Sequence, residues 1–193
     1  RTQAHSLSAV PEWIFVKELD NAGSWYTYTA MMGNTKAMFL NATNAVSGDS
    51  SGYWNDTTAT SSVFSLGTDG GVNQASTAYI AYAFRSVQGF SKFGSYIGNG
   101  NADGTFVYTG FRPAFVMWKI SSAAGGHWHI HDNKRASYNG AHGVLKANAS
   151  NAEYTGDAAE GIEMFSNGWK PTGTTNNNNN YNGATYVYMA FAE

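Results

Sequence analysis

Three histidines at every second position of one short segment are the residues best suited to hold a metal ion. His127, His129 and His131 alternate with Trp128 and Ile130. On a β-strand, alternate side chains project from one face about 7 Å apart. The three imidazoles could therefore share an ion, whose nitrogen ligands lie at about 2 Å. Packing on a half-covered polar face is the favoured interpretation, and a metal site is the alternative.

Aromatic residues in neutral polar loops form a second candidate site, for a sugar or a protein ligand. Aromatic rings stack on the apolar faces of sugars, while nearby Asn, Ser and Thr side chains bond hydroxyl groups. The same combination serves protein recognition. The alternative is that these rings anchor loops or fill subunit contacts. The candidate ligand-binding residues are Tyr53, Trp54, Tyr138, Tyr154 and Tyr181.

The carboxylates do not form a recognisable catalytic pair. Glycoside hydrolysis needs two carboxyl groups about 5–9 Å apart, and Glu160 and Glu163 would face opposite sides of a strand. Residues 99–104 resemble the start of a calcium loop, but Gly110 stands where a bidentate Glu is required. A turn with Asx hydrogen bonds is predicted there instead. We expect no enzyme activity and no cofactor, apart from the alternative metal at the histidines.

Composition excludes several further classes of function. The 193 residues carry a net charge of −2, only 12% are charged, and no Cys is present. A basic nucleic-acid footprint is therefore not expected, nor is thiol chemistry. No apolar run approaches the roughly 18 residues of a membrane span, so we predict no nucleic-acid partner and no membrane insertion.

The elements that must position these residues are nearly all strands. Short runs rich in β-branched and aromatic residues alternate with Gly, Asn, Asp and Ser clusters. This pattern predicts an all-β fold with little helix, an antiparallel β-sandwich of jelly-roll or lectin-like type. The predicted strands are 13–17, 24–29, 37–41, 62–66, 78–84, 92–97, 105–109, 114–120, 127–132, 143–146, 161–165 and 185–192.

An internal repeat organises the chain into two related halves. Five blocks recur in the same order: 11–17 with 113–119, Trp25 with Trp128, 41–45 with 148–152, 64–67 with 165–168, and 79–84 with 186–191. The repeat predicts one β domain over residues 1–86 and a second over 87–193. It also predicts equivalent buried sites for the two tryptophans.

The repeat bears on the histidines as well. In the first half, Tyr26 and Tyr28 occupy the places of His129 and His131. Histidine therefore replaces tyrosine at one face of a strand, which favours packing over metal binding.

Several segments resemble one family across nearly the whole chain. Gly-Asn-Gly-Asn-Ala-Asp-Gly-Thr-Phe-Val-Tyr-Thr-Gly-Phe-Arg-Pro at 98–113 and Phe-Ser-Asn-Gly-Trp-Lys at 165–170 carry the likeness, with Val-Phe-Ser-Leu-Gly at 63–67 in the first half. They resemble a domain of unknown function in virion proteins of bacteriophages, notably phages of marine bacteria, where it tends to end long chains. The family segment of Ser-Trp-x-Ile-Tyr-Asp type reads His-Trp-His-Ile-His-Asp at 127–132 here.

The resemblance implies a phage structural role and transfers no catalytic residues. We expect a non-enzymatic virion surface component, of tail-fibre, spike or decoration type, that attaches to a host-surface glycan or protein. It would lie on the virion surface, outside the cell, and associate with itself, as a trimer by preference, and with other virion proteins. The alternatives are a purely architectural capsid or tail decoration or assembly protein and, more weakly, a secreted carbohydrate-active enzyme.

One strand of the first repeat is expected to lie outside the sequence. Aligning Pro11 with Pro113 places Thr2 opposite Gly104, so the counterpart of segment 92–97 would precede Arg1. A sheet that lacks one strand leaves unpaired backbone groups at an edge. We expect an open edge beside 13–17 or 78–84, filled by upstream residues or by a strand of a neighbouring chain.

Overall fold

The computed structural model describes residues 1–135, 143–154, 160–173 and 179–193. Strands make up 38% of the chain and helix only 5%, in several antiparallel sheets, which confirms the all-β prediction. Each of the twelve predicted strands overlaps an observed strand. The strands are β1 (Thr2–Ala4), β2 (Trp13–Glu18), β3 (Trp25–Thr29), β4 (Met38–Phe39), β5 (Val63–Ser65), β6 (Tyr79–Phe84), β7 (Ser91–Ile97), β8 (Val107–Tyr108), β9 (Pro113–Ile120), β10 (His129–Asp132), β11 (Leu145–Lys146), β12 (Ile162–Phe165), β13 (Gly168–Pro171) and β14 (Thr185–Ala192).

Two helices of one turn each, α1 (Ser51–Trp54) and α2 (Gly70–Asn73), complete the described elements. The side chains of Ser50 and Asp69 cap them by accepting hydrogen bonds from the backbone N–H groups of Gly52 and Gly71. Such short helices carry no hydropathy period, so the sequence pattern missed them. No helix in the described ranges is long and apolar enough to cross a membrane.

The chain divides into two compact units, Arg1–Arg85 and Ser86–Glu193, called unit 1 and unit 2 below. In unit 1, a four-stranded antiparallel sheet has the order β4-β3-β2-β6, and β1 pairs with β5 in a separate two-stranded sheet. Side chains from both sheets and both helices form one apolar core. Its buried members are Ile14, Val16, Tyr28, Ala37, Trp54, Ala59, Phe64, Leu66 and Val72.

The described residues of unit 2 repeat this plan with two more strands. Its larger sheet has the order β11-β10-β9-β14-β7, and its smaller sheet has the order β12-β13-β8. The core between them takes side chains from both sheets, as a sandwich requires. Its largest buried members are Trp118, Trp169, Tyr96, Tyr186, Tyr188 and Phe111.

The duplication is visible in the register of strand pairing. Val16 is opposite Tyr26 in unit 1, and Trp118 is opposite His129 in unit 2. The sheet orders β4-β3-β2-β6 and β11-β10-β9-β14 correspond strand for strand. A side-chain hydrogen bond recurs too. The Oδ1 atom of Asn41 accepts from the Trp25 N–H at 3.0 Å, and that of Asn148 accepts from the Trp128 N–H at 2.8 Å.

Two expectations drawn from the repeat are wrong in detail. Trp128 is fully buried, but Trp25 is only half-buried, and the Tyr82 ring on which it stacks is itself 45% exposed. The match of 64–67 with 165–168 is displaced by one strand. In unit 1, Phe64 lies in β5, which pairs with β1. In unit 2, the strand in the place of β1 is β8, and β8 pairs with β13. Phe165 lies in β12, on the other side of β13.

Candidate functional site

Strand β10 directs two of the three histidines into the core of unit 2. His129 is opposite Trp118 and His131 is opposite Val116. Since opposed residues of paired strands share a sheet face, both imidazoles lie on the core side, and both are fully buried. The indole of Trp118 stacks on both rings, with centroids 5.3 and 4.8 Å away. The prediction that these histidines lie on a half-covered polar face is therefore wrong, because the smaller sheet of unit 2 covers this face of β10.

A carboxylate and an ammonium group meet the buried imidazoles. Glu160, 8% exposed, places an Oε2 atom 3.5 Å from His129 Nε2 and 3.0 Å from Lys146 Nζ. The contact with His129 and then the ion pair with Lys146 outweigh burial and lower the pKa of Glu160 to about 2. Burial lowers the pKa of His129. At neutral pH the imidazole is therefore neutral and the carboxylate charged, which matches the cost of burying an unpaired charge.

The third histidine has separate partners at the rim of this cluster. The amide of Asn148 donates to His127 Nδ1 at 2.9 Å, and the rings of His127 and His129 are 6.3 Å apart, edge to face. Burial lowers the pKa of His127 as well. In the described part of the chain, no three His, Asp or Glu side chains are grouped to hold a metal ion. The metal at His127, His129 and His131 remains an untested prediction.

The loop at residues 99–104 forms the predicted turn. Asn99 Oδ1 accepts from the Asn101 N–H at 3.0 Å, the two-residue spacing of an Asx turn. The amide of Asn180 donates to the same oxygen at 2.8 Å, and Asp103 pairs with Lys170. The side-chain oxygens of this loop therefore bind protein donors, which confirms the turn.

Two of the five aromatic candidates, Trp54 and Tyr53, lie in unit 1. Trp54 is 2% exposed, and its indole N–H donates to the Lys36 carbonyl at 2.8 Å, so this residue belongs to the core and not to a ligand surface. Helix α1 causes this burial, because its single turn carries the ring under Tyr28, 5.5 Å away. Tyr53 is half-buried and packs on Tyr26. The prediction of a ligand-binding role is therefore wrong for Trp54, and it stays a prediction for Tyr53.

The remaining candidates belong to unit 2. Tyr154 is 46% exposed and Tyr181 is 53% exposed. Tyr138 lies outside the described residues. Tyr154 lines a cavity.

That cavity, the Tyr154 pocket, has a volume of about 490 Å³ and opens on the surface of unit 2. Val144 and Tyr154 form an isolated β-bridge, which holds the tyrosine against β11. The sequence predicted a role for only two of its lining residues, His127 and Tyr154. The polar residues Asn151 and Glu153, close to Tyr154 and shortly after Lys146, were the sequence feature that could have indicated the pocket. The pocket is lined by His127, Val144, Lys146, Asn151, Ala152, Glu153 and Tyr154.

Ion pairs hold the charged groups of the Tyr154 pocket in place. Lys146 is anchored by Glu160 from the buried side, and Glu153 accepts from Arg135 Nη1 at 2.8 Å. Arg135 is fixed in turn by Asp132, 2.5 Å away. A charged network with fixed geometry presents oriented donors and acceptors to a ligand.

Fold and site together define an internally duplicated, all-β protein with a polar, tyrosine-bearing surface pocket in its second unit. The chain belongs to the family described as "Domain of unknown function (DUF7483)", whose model matches residues 1–193. No curated protein and no solved structure matches the chain.

Proposed function

We propose that this chain is a non-enzymatic attachment module of a bacteriophage virion surface protein, of tail-fibre, spike or decoration type, that binds a host-surface glycan or protein. The observation that carries the proposal is the Tyr154 pocket. Its volume of about 490 Å³ lies in the range of small-ligand sites. The phage setting and the location on the virion surface rest on the family resemblance alone.

The lining of the Tyr154 pocket suits a hydroxyl-rich ligand. The exposed ring of Tyr154 offers an apolar face for stacking, and the Asn151 amide offers both donors and acceptors. Lys146 and Glu153 add one donor and one acceptor group at fixed positions. A polar lining with one aromatic platform favours a sugar or a polar peptide surface over an apolar ligand.

The charge states of the neighbouring carboxylates argue against hydrolysis. A glycosidase needs a carboxylic acid whose pKa is raised so that it can donate a proton near neutral pH. The pKa of Glu160 is instead lowered to about 2. Glu163 belongs to a different ion pair, with Lys170 at 3.2 Å. These two carboxylates therefore support a structural role, so no hydrolysis is proposed.

The test is adsorption of the purified chain to host cells and to a glycan array, with variants of the two exposed tyrosines. Tyr154→Ala should weaken binding at least 10-fold, which is about 1.4 kcal/mol. Tyr181→Ala is the matched control, because its ring is equally exposed but lies outside the pocket. Equal effects of both variants, or none, on a ligand that the wild-type chain binds would contradict the proposal.

Self-association, as a trimer by preference, and contacts with other virion proteins belong to the same proposal. Charged residues make up only 12% of the chain, which leaves little charge repulsion to keep copies apart. Light scattering at high protein concentration tests this part, and a monomer throughout would count against it. An architectural or assembly role is the second candidate function, and the open sheet edge of unit 1 favours it.

A further inference from the structure

The outer edge of β6 in unit 1 has no paired strand among the described residues, whereas its counterpart β14 is paired on both sides. β6 pairs with β2 alone, and β14 lies between β9 and β7. The Leu19 N–H donates to the Ala78 carbonyl at 2.9 Å. Because alternate residues of an antiparallel strand bond to the same neighbour, Tyr79, Ala81 and Ala83 turn their backbone groups to the open side.

The counterparts of these three residues bond to β7 in unit 2. The Gly98 N–H donates to the Ala184 carbonyl at 2.9 Å, and the same alternation directs Tyr186, Tyr188 and Ala190 toward β7. The open backbone groups of β6 are therefore the ones that a fifth strand bonds in the duplicate unit.

A cavity of about 400 Å³ lies between β6 and the β1–β5 pair, under the open edge. Its apolar lining is the inner face of β6 with the core behind it. In unit 2 the corresponding place is occupied by a β7 side chain, Tyr96, whose ring stacks on Tyr186 at 4.8 Å and meets Trp169 at 5.3 Å. The N-terminal segment lines one side of the cavity with Arg1, Gln3, Ala4, His5, Ser6 and Leu7. The remaining lining is apolar and comprises Val16, Phe64, Leu66, Tyr79, Ala81 and Ala83.

Exposure differs accordingly between the two strands. Ala81 and Tyr82 are exposed in β6, the latter at 45%. Their counterparts Tyr188 and Met189 are 3% and 4% exposed in β14. The same position in the sheet is thus buried where the fifth strand is present and open where it is absent.

We propose that unit 1 is a strand-acceptor site, completed by an extended polypeptide segment from outside residues 1–193 that adds to the edge of β6 and fills the cavity. This is the binding mode of β-strand addition, in which backbone hydrogen bonds give affinity and alternate side chains give specificity. The site is separate from the Tyr154 pocket and does not depend on the function proposed for it.

The two units also indicate the side chain that the added strand must carry. In unit 2, Gly94 of β7 is opposite Tyr188, and a Cβ atom on Gly94 would lie 2.8 Å from that ring. In unit 1 the counterpart of Tyr188 is Ala81, which leaves this space empty. The occupant therefore carries a large apolar residue where β7 carries glycine.

A second copy of the chain is the less suitable occupant. Its own β7 is paired with β14 from Ser91 to Ile97, and its Tyr96 is buried. Donating that strand would open unit 2 of the second copy. A strand from outside residues 1–193 has no such cost.

The experiment measures binding of synthetic peptides to the full chain by fluorescence anisotropy. The probes are a labelled peptide of residues 90–98, the same peptide carrying Gly94→Leu, and a scrambled version. The Gly94→Leu peptide should bind one-to-one and at least 10-fold more tightly than the unmodified peptide. On the Ala81→Tyr chain the order should reverse, because the new ring recreates the Tyr188 environment and leaves room only for glycine.

Edge-blocking variants give the second arm. Ala83→Pro removes an outward N–H at a strand edge, where proline is tolerated, and should weaken peptide binding at least 10-fold. Ala83→Gly keeps the N–H and should preserve binding. The proposal is wrong if neither peptide binds the folded chain, or if neither Ala81→Tyr nor Ala83→Pro alters binding. A concentration-dependent dimer abolished by Ala83→Pro would assign the edge to a second copy and equally overturn it.

Discussion

The strands β3 and β10 hold the same place in their sheets but present different chemistry to their cores. β3 carries Tyr26 and Tyr28 where β10 carries His129 and His131. The tyrosines fill their space with large rings, and Tyr28 meets the Trp54 ring edge to face. The backbone register of the duplication is therefore shared, while the interior chemistry of each unit is its own.

Because of this difference, unit 2 must bury charged groups beside its histidines. An imidazole is smaller than a phenol and carries two ring nitrogens that need partners when buried. Glu160 and Lys146 supply charged groups beside the histidines. The buried core of unit 1 instead consists of apolar, tryptophan and tyrosine side chains. Substitutions and changes of pH should therefore affect the stability of the two units differently.

The largest effect is expected from the paired tryptophans. Trp128→Ala should lower the free energy of unfolding by about 3–5 kcal/mol, because the side chain is fully buried. Trp25→Ala removes a half-buried ring stacked on Tyr82 and should cost about half as much. Urea unfolding of both variants measures the difference. Equal losses would show that the repeat positions are energetically equivalent despite their exposure.

A smaller loss is expected when the buried carboxylate of unit 2 is neutralised. Glu160→Gln leaves Lys146 and His129 without their charged partner and should cost about 3 kcal/mol. Glu163→Gln is the control, since its ion pair with Lys170 is more exposed, and should cost less than about 1 kcal/mol. Chemical denaturation distinguishes the two, and similar values would argue against a special role for Glu160.

Acid should destabilise unit 2 by protonating Glu160 and His129. The pKa of Glu160 is lowered to about 2 and that of His129 lies below its ordinary value of 6.5. The unfolded chain therefore binds more protons than the folded one, so stability falls as the pH drops below 6.5 and continues to fall toward 2. As the pH is lowered, amide hydrogen exchange, corrected for intrinsic rates, should show that residues 129–132 of β10 lose protection at a higher pH than residues 25–29 of β3. Simultaneous loss would contradict the assignment.

The smallest effect concerns the fifth strand. Gly94→Ala places a Cβ atom against the buried Tyr188 ring and should cost about 1–3 kcal/mol by overpacking. Thermal unfolding measures the loss. The double variant with Tyr188→Ala, which imitates Ala81 of unit 1, should recover most of the penalty caused by the added methyl. Full additivity of the two substitutions would show that they do not share this contact.

The repeat made the strand plan predictable, since register follows from the alternation of apolar side chains. It could not show whether each repeated position was buried equally. Trp25 and Trp128 share a hydrogen bond to an asparagine but not a burial state. The two strands that prediction missed, β1 and β13, are three and four residues long, too short for a clear period.

The candidate site was harder to predict because binding residues come from different segments. Tyr154 was recognised from its polar neighbours. Lys146 and Glu153 could not be recognised in the same way, because their positions are set by ion pairs with Glu160 and Arg135. Trp54 was misread for the opposite reason. Its loop sequence is polar, yet a single helical turn buries the ring.

By itself, the sequence determined the strand-rich architecture, the duplication and the lane shared by tyrosines in one half and histidines in the other. These are local properties, because periodicity and turn residues act over a few positions along the chain. Only the tertiary structure decided that the histidines are buried, that Glu160 and Lys146 surround them, and that β6 is an open edge above a cavity. Burial, ion pairing and edge strands depend on contacts between distant segments, which no local pattern encodes.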